Sequence, residues 1–360
     1  MPNYSIGGIN RYIVDLCKAQ NESKKLQSDI YVLNAKHEAW KEKVADIGCN
    51  IYEGKFQPKD INFARINSFC IIKEKYDVIN WHVPFPTLML ACIGDSKKHV
   101  YTHHSVLGTG RTKSFMDFLK WGIFKWLING IFDAQIFNSD FTRQFWKSRG
   151  LCTRVEKLVY NPITPMIQSQ GESMVCEKWP QLGKMFVVGT ACSMVRCKRL
   201  DLLINAFNCI CKECRESVLF LVGDGPERSN LEKLVEARNL CEHVVFAGYQ
   251  TEVADFINAM DVFVSSSVGE TFGLAVGEAM SLGKPAICLS DGGGVCEVVG
   301  CDSGNVVSTE SELAFRLKYY MEKKQKLGSC EMLSNVERVK KFAMNEVVNK
   351  YVDVYSMVLN

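Results

Sequence analysis

What most constrains this chain is a repeated alternation of short β-rich runs with longer helix-patterned stretches, carried through between residues 28 and 160 and begun afresh at residue 184. Parallel strands joined by helical crossovers produce that pattern, because a parallel partner cannot be reached through a tight turn. The first series is DIYVLN around Tyr31, CNIY around Ile51, YDVINWH around Ile79, HVYTHH around Tyr101, DAQIFNS around Ile136 and VEKLVYN around Val159. Most of these runs end in a polar residue (Asn34, His82, His104, Ser139, Asn161), and open parallel sheets bind ligands at that carboxyl end. The second series is KMFVVGTA, SVLFLVGDGPE, HVVFAGY, MDVFVSSS, KPAICLSDGGG and GNVV.

The expected fold class is α/β with two domains, which 360 residues accommodate at roughly 150 per domain. We place the first domain at 1–165, a linker at 166–183 and the second domain at 184–340. The stretch ITPMIQSQGESMVCEKWPQLG around the linker is polar, holds two prolines and two glycines and shows no sustained period. Residues 341–360 form a terminal helix expected to pack back, since Phe342, Val347, Val348, Tyr351 and Val354 share a helical face. One irregularity stands at the start. A glycine turn, Gly7 and Gly8, precedes the helix pattern INRYIVDLCKA, yet only six residues come before it where a first strand is expected. Either the Ile6 segment is a stunted strand or the true start lies upstream, and an upstream run of apolar β-formers would support the second.

Composition excludes several classes. Hydrophobic residues at 47% and charged residues at 23% are ordinary globular usage, and a net charge of +3 is too slight to argue for a nucleic-acid groove. The sixteen cysteines are scattered, so they are read as reduced, intracellular thiols; the close pair in CKEC, Cys211 and Cys214, has no second pair to complete a zinc site. The amino terminus lacks the basic start and apolar run of a signal peptide, and no apolar stretch reaches membrane-spanning length. The expectation is a cytoplasmic protein, at most peripheral at the inner face of a membrane.

The chemistry concentrates in MDVFVSSSVGETFGLAVGEAMSLGKPAI, where a β-rich run ends in serines and two carboxylates follow, Glu270 and Glu278. On one helix they would stand about 12 Å apart, too far for a paired acid and base but suited to two ends of one extended ligand. Gly273 and Gly277 would permit close backbone approach, and free amides of Phe272, Gly273 and Leu274 at a helix start would suit phosphate.

In these residues the chain resembles the retaining nucleotide-sugar glycosyltransferases of family 4, over nearly its whole length. The E-x7-E spacing of Glu270 and Glu278 carries the resemblance, with the FGL turn between them and GKP after them. GDGPE from Gly223, FAGY at Phe246 to Tyr249, GGGVCEVV from Gly292 and YNPI at Tyr160 to Ile163 support it. The resemblance implies a GT-B fold, two facing Rossmann-like domains with a cleft between them. It implies that Glu270 contacts the donor sugar, that Glu278 binds the ribose, and that Phe272 to Leu274 hold phosphate or sugar oxygens. Tyr249 and Gln250 would flank the base, and Gly223 and Gly8 would lie along the donor. Lys198 takes the place of the family lysine that neutralises the diphosphate, where leaving-group charge develops. The family's arginine five residues earlier is replaced here by Ser193; Arg196 or Arg199 would supply the missing charge, or Ser193 would accept a slower reaction.

In the first domain THHS ends a strand, and the resemblance implies a histidine beside the sugar. His104 has the T-x-H spacing from Thr102, His103 would face the other side of the strand, and His82 would be an acceptor-side or structural residue. No His, Cys or Asp cluster has convincing metal spacing, so activity without a metal or other cofactor is expected, the nucleotide-sugar serving as co-substrate. The run RTKSFMDFLKWGIFKWLINGIF, with five aromatics up to Trp126 and Lys113, Lys120 and Lys125, suits either an interfacial helix on anionic lipid or a core helix with snorkelling lysines. The reading adopted is transfer of a sugar, with retention, to a glycan or lipid-linked acceptor in bacterial polysaccharide, lipopolysaccharide or glycolipid assembly. A nucleotide-sugar epimerase and a degenerate nucleotide- or partner-binding homologue stand as alternatives.

Overall fold

The computed structural model describes residues 8–33, 48–56, 62–83, 85–106, 115–167, 172–323 and 329–360. The Ile6 segment, Gly7, Asn34 and Lys113 lie outside them. The chain divides into two units, one of Met1–Pro162 with Met344–Asn360, the other of Ile163–Ala343.

Each β-rich run of the sequence forms a strand. The first unit contains β1 (Ile30–Val32), β2 (Ile51–Glu53), β3 (Val78–Trp81), β4 (Lys98–His103), β5 (Ala134–Phe137) and β6 (Val155–Leu158). Among the described residues they form two sheets, β1-β2 and β3-β4-β5-β6, parallel throughout. Alternation along β4 assigns its two faces: Val100 joins the core made by helices Gly8–Glu22 and Met344–Leu359, while Tyr101 joins an aromatic core with Phe69, Trp81, Phe137 and Trp146.

The second unit contains β7 (Phe186–Ala191), β8 (Ser217–Val222), β9 (Val244–Gly248), β10 (Val262–Ser265), β11 (Ala286–Leu289) and β12 (Val306–Val307). They form one parallel sheet ordered β12-β11-β10-β7-β8-β9. Helix Leu200–Glu213 covers one face, burying Leu203, Ile204, Phe207 and Ile210 at three- and four-residue spacing against β-strand residues such as Leu219 and Val264.

Two boundaries differ from the sequence reading. The expected linker is not a spacer: it holds helix Glu172–Lys178 and a 3-10 turn, Pro180–Gly183, and belongs to the second unit. Buried Val175 and Leu182 anchor it, and Trp179 packs edge-on to Phe220 at 5.5 Å. Val175, Trp179 and Leu182 stand four and three residues apart, a helical spacing too brief to register among the polar residues around it. Phe342 also leaves its expected place, since the terminal helix begins at Met344 and Phe342 is buried in the second unit, edge-on to Phe272 at 5.3 Å. No helix among the described residues is long and apolar enough to cross a membrane.

Candidate active site

Strand order reverses at β7, which has β8 on one side and β10 on the other. Loops leaving the carboxyl ends of β7 and β10 therefore run apart, and the opening between them is where open α/β sheets hold ligands. The loop after β7 leads to a 3-10 turn, Arg196–Lys198, and the loop after β10 leads to Glu270. The Lys198 ammonium donates to Oε1 of Glu270, with the two side chains only 22% and 21% exposed. Burial works against the Lys198 charge, but the adjacent carboxylate outweighs it and lifts the ammonium above its usual range. Lys198 is a cation at neutral pH.

The backbone holds Glu270 from both sides. Its N–H donates to the Gly292 carbonyl at 2.8 Å and its carbonyl accepts from the Gly294 N–H at 2.7 Å. Glu270 is thus a bridge residue beside Gly293 and stands outside the helix Leu274–Ser281 that carries Glu278. Arg199 ties the two loops together from a left-handed backbone, φ 46° and ψ 45°. Its guanidinium donates to the carbonyls of Ser266 at 2.9 Å and Ser267 at 3.2 Å, and to both Asp291 carboxylate oxygens at 2.8 and 2.5 Å. The Ser266 hydroxyl returns a bond to the Lys198 carbonyl at 2.6 Å. Arg199 is consequently a strut between loops, engaged with Asp291, and not the substitute diphosphate cation that its sequence position suggests. Ser193 and Arg196 are both exposed on the same loop.

The glycines here serve packing within the protein. A Cβ on Gly277 would meet Ile163 Cδ1 at 2.1 Å, and one on Gly273, where φ is 98°, would meet Val295 Cγ2 at 2.6 Å. Gly277 therefore admits a neighbouring side chain and not a ligand, contrary to the sequence reading. Phe272 is likewise a core residue, 2% exposed, so any ligand contact falls to its backbone. Gly273 is the left-handed N-cap from which Leu274 starts the helix, and Glu278, half-buried, is the fifth helical residue. Gly223, at the end of β8, has a φ of 127° and would place a Cβ 2.0 Å from the Cys192 carbonyl oxygen, which keeps the GDGPE turn tight against the loop after β7. After β9, Tyr249 is 66% exposed and Gln250 donates to the Ala247 carbonyl at 2.9 Å.

In the first unit, Gly8 opens helix Gly8–Glu22, and the carboxyl ends of β3 and β4 bring His82 and His104 together. Nδ1 of His82 lies 2.8 Å from Nε2 of His104, and the Tyr12 ring meets both imidazoles edge-on, at 5.9 and 5.0 Å. Burial lowers the pKa of both histidines, and for His82 the neighbouring His104 adds to it, so the pair is neutral near pH 7. Tyr12 in turn bonds Tyr351 at 2.7 Å, and Thr102 joins Asn80 at 2.9 Å. His103 faces the opposite way. It is fully buried, stacked 4.7 Å from Phe137, bonded to Gln135 Oε1 at 2.7 Å, and burial pushes it down to about 3. His104 is thus the histidine beside the strand end, with His82 as its partner.

One group among the described residues has metal-ligand spacing, Cys92, Asp95 and His99. The Lys73 ammonium already sits on Oδ2 of Asp95, which also accepts from His99 Nε2 at 3.2 Å, while Trp81 Nε1–H donates to His99 Nδ1 at 3.0 Å. A resident ammonium makes this a buried ion pair and a poor home for a second cation. The cysteines described are free thiols, Cys211 buried and Cys214 half-buried.

Sequence reasoning missed Arg199 as a strut, Asp291 as its anchor, and the pairing of His82 with His104. The one local signal was Arg199 itself, a long side chain directly after the candidate Lys198.

Residues 6–165 match the family model described as Glycosyltransferase Family 4, and residues 178–337 the model described as Glycosyl transferases group 1. The O-antigen biosynthesis glycosyltransferase WclY of Escherichia coli is 38% identical over 102 residues, 28% of this chain and 28% of that protein. The N-acetyl-alpha-D-glucosaminyl L-malate synthase of Bacillus anthracis is 25% identical over 320 residues, 85% of this chain and 81% of that protein. Among solved structures, Anabaena Alr3699/HepE in complex with UDP superposes with a TM-score of 0.81 at 19% identity, covering 99% of this chain and 100% of that one. At that identity the likeness shows the fold, which is GT-B.

Proposed function

Since this chain belongs to the glycosyltransferases, with a Glycosyltransferase Family 4 domain ahead of a Glycosyl transferases group 1 domain, we propose that it moves a sugar from a nucleoside diphosphate to an acceptor hydroxyl with retained anomeric configuration. The observation that carries this reading is the Lys198–Glu270 pair at the reversal of strand order. An arriving diphosphate offers Lys198 two or more anionic oxygens, a stronger set than one carboxylate. Lys198 moves onto the diphosphate, and Glu270 is released toward the hydroxyls of the sugar. As the bond to the anomeric carbon breaks, its electron pair goes to the diphosphate, where Lys198 stabilises the added charge. The acceptor oxygen attacks from the same face and its proton passes to the departing phosphate oxygen. Glu278 takes the ribose and the exposed Tyr249 ring the base. None of these steps calls on a metal. HepE was solved with UDP and with UDP-glucose, and WclY is named for O-antigen biosynthesis, so a UDP-sugar and a lipopolysaccharide-type acceptor are the first to try.

Titration of thermal unfolding with UDP, GDP, ADP and dTDP, in the presence of chelator, tests the donor site before an acceptor is known. A nucleotide at 100 times its dissociation constant adds about 2.7 kcal/mol. We expect a rise with one nucleotide, UDP first; a midpoint unmoved by all four would overturn the transfer reading in favour of a degenerate homologue.

The same reading places the protein at the cytoplasmic face of a membrane. On helix Phe115–Ile131, Leu127 and Ile128 are buried but Ile123 and Trp126 are 54% and 63% exposed, and the adjoining helix Pro86–Leu90 exposes Leu90. Seating the Trp126 indole in an interface releases apolar area worth about 1.5–3 kcal/mol. Trp126→Ala is therefore expected to weaken sedimentation with phosphatidylglycerol vesicles by roughly ten- to a hundredfold. Equal sedimentation of the two proteins would remove the membrane role.

A further inference from the structure

Glu270 is held by a loop of three consecutive glycines, Gly292 to Gly294, the residue type whose backbone is least restrained. The short segment between β11 and helix Val295–Val299 carries that loop and more. Its Asp291 carboxylate receives the Arg199 guanidinium, and the Asp291 carbonyl accepts from the Gly269 N–H at 3.0 Å. A glycine loop stays in place only as well as its ends are fixed, because its own backbone resists little.

Both ends are cysteines. Cys288 lies in β11, Cys296 is the second residue of the helix, and their sulfurs stand 3.8 Å apart, in contact. Cys288 is fully buried and Cys296 is 8% exposed, so Cys296 is the sulfur a small solute reaches first. The Cys288 thiol and the Gly292 N–H, both directed at Cys296, lower its pKa against the opposing effect of burial and so favour the nucleophilic thiolate. When protonated, the Cys296 thiol donates to the Leu289 carbonyl at 3.3 Å, whereas exposed Cys301 reaches only the Cys296 backbone carbonyl, at 3.7 Å. Cys17 and Cys49 form another thiol pair, in the first unit, but the segment between them holds none of the candidate site residues.

We propose that Cys288 and Cys296 are a peroxide-responsive pair whose reversible disulfide staples the Glu270 loop at its base. The Cys296 sulfur attacks one oxygen of hydrogen peroxide, the O–O bond breaks, and the other oxygen leaves as water with the thiol proton, so that Cys296 becomes a sulfenic acid. The Cys288 sulfur then attacks that sulfur, the S–O bond breaks and a second water leaves with the Cys288 proton. Two thiols and one peroxide thus give one disulfide and two waters, and a thiol reductant reverses the link. A disulfide is about 2 Å long, and sulfurs already in contact reach it by turning their side chains. Closing the ring takes backbone freedom from the glycines inside it, which are the residues that hold Glu270. The disulfide is independent of what the protein catalyses; its bearing on transfer rests on the function proposed above.

The test treats the full chain with hydrogen peroxide, removes it, alkylates the remaining thiols under denaturing conditions and maps the peptides. Cleavage ahead of Asp291 separates the two cysteines, so a link between them joins two peptides that run apart after reduction. We expect that joined pair from the parent, its loss with dithiothreitol, and amide exchange at Glu270 and Gly294 slowed about tenfold in the oxidised protein. Cys296→Ala should abolish both effects and Cys301→Ala should leave both; the peptide map of the parent decides the matter even where a variant folds poorly. The proposal fails if Cys288 and Cys296 both remain open to alkylation after peroxide, if Cys296 ends joined to Cys301 or as a sulfinic acid, or if the link forms without slowing exchange at those two amides. None of these readouts depends on sugar transfer, so failure here and failure of the transfer reading are separate results.

Discussion

Glu270→Gln is expected to lower the turnover of the donor by about 10²–10³-fold while leaving nucleotide binding within a few-fold of the parent. The substitution keeps the size and the backbone bridge to Gly292 and Gly294, so the loop stays in place, and what is lost under the proposed mechanism is a preorganised negative charge beside the reacting sugar. Lys198→Met should differ in kind. Under the proposed mechanism it removes the cation that meets the diphosphate, so the thermal shift with the matching nucleotide should shrink along with turnover. Because the two side chains are in contact, the double variant should cost less than the sum of the singles. Release of nucleoside diphosphate from the donor, measured beside the nucleotide-dependent thermal shift, separates these effects. Turnover of Glu270→Gln within threefold of the parent would remove Glu270 from the mechanism.

Lys73→Met should cost about 3–5 kcal/mol of stability, because it strips the partner from a carboxylate that is only 6% exposed. Burial alone would raise the Asp95 pKa, but the Lys73 ammonium, the Lys97 N–H and His99 together bring it down to about 2. The sign follows. A carboxyl lowered by folding contributes stability that is present above its unfolded pKa near 4 and is lost as pH falls toward 2. Without Lys73 the carboxyl is no longer held down, so it protonates at a higher pH and its penalty fades. The gap between parent and Lys73→Met is therefore expected to be widest near pH 7 and to narrow below about pH 4. Replacing the whole pair, Lys73→Met with Asp95→Leu, should recover much of the loss. Urea unfolding at several pH values checks this, and a gap that is small at pH 7 or indifferent to pH would show the pair to be dispensable.

The strands were legible because each is a compact run of β-formers set off by helical periodicity, and tertiary context had only to place them. The element inside 166–183 was not legible, because Val175, Trp179 and Leu182 are too few to register as a pattern and act only by docking. Gly277 misled for a related reason. A glycine in a helix signals close approach by something, and only the structure names Ile163 as that neighbour. His103 and His104 were separable in principle, since alternation along a strand sends them to opposite faces, but which face is the core depends on Phe137 and Trp146 arriving from elsewhere.

By itself the sequence determined two parallel α/β units, the carboxyl strand ends where polar residues collect, and the two carboxylates Glu270 and Glu278 after a strand. These are local properties, set by periodicity and by which side chains follow each strand, whereas Lys198 and His104 were singled out by the family resemblance. Tertiary structure alone decided that Lys198 meets Glu270 across 72 positions of chain, that Arg199 braces their loops, and that His82 partners His104. Contacts of that kind depend on strand order, and strand order is chosen by the packing of the whole layer, which no single stretch of residues encodes.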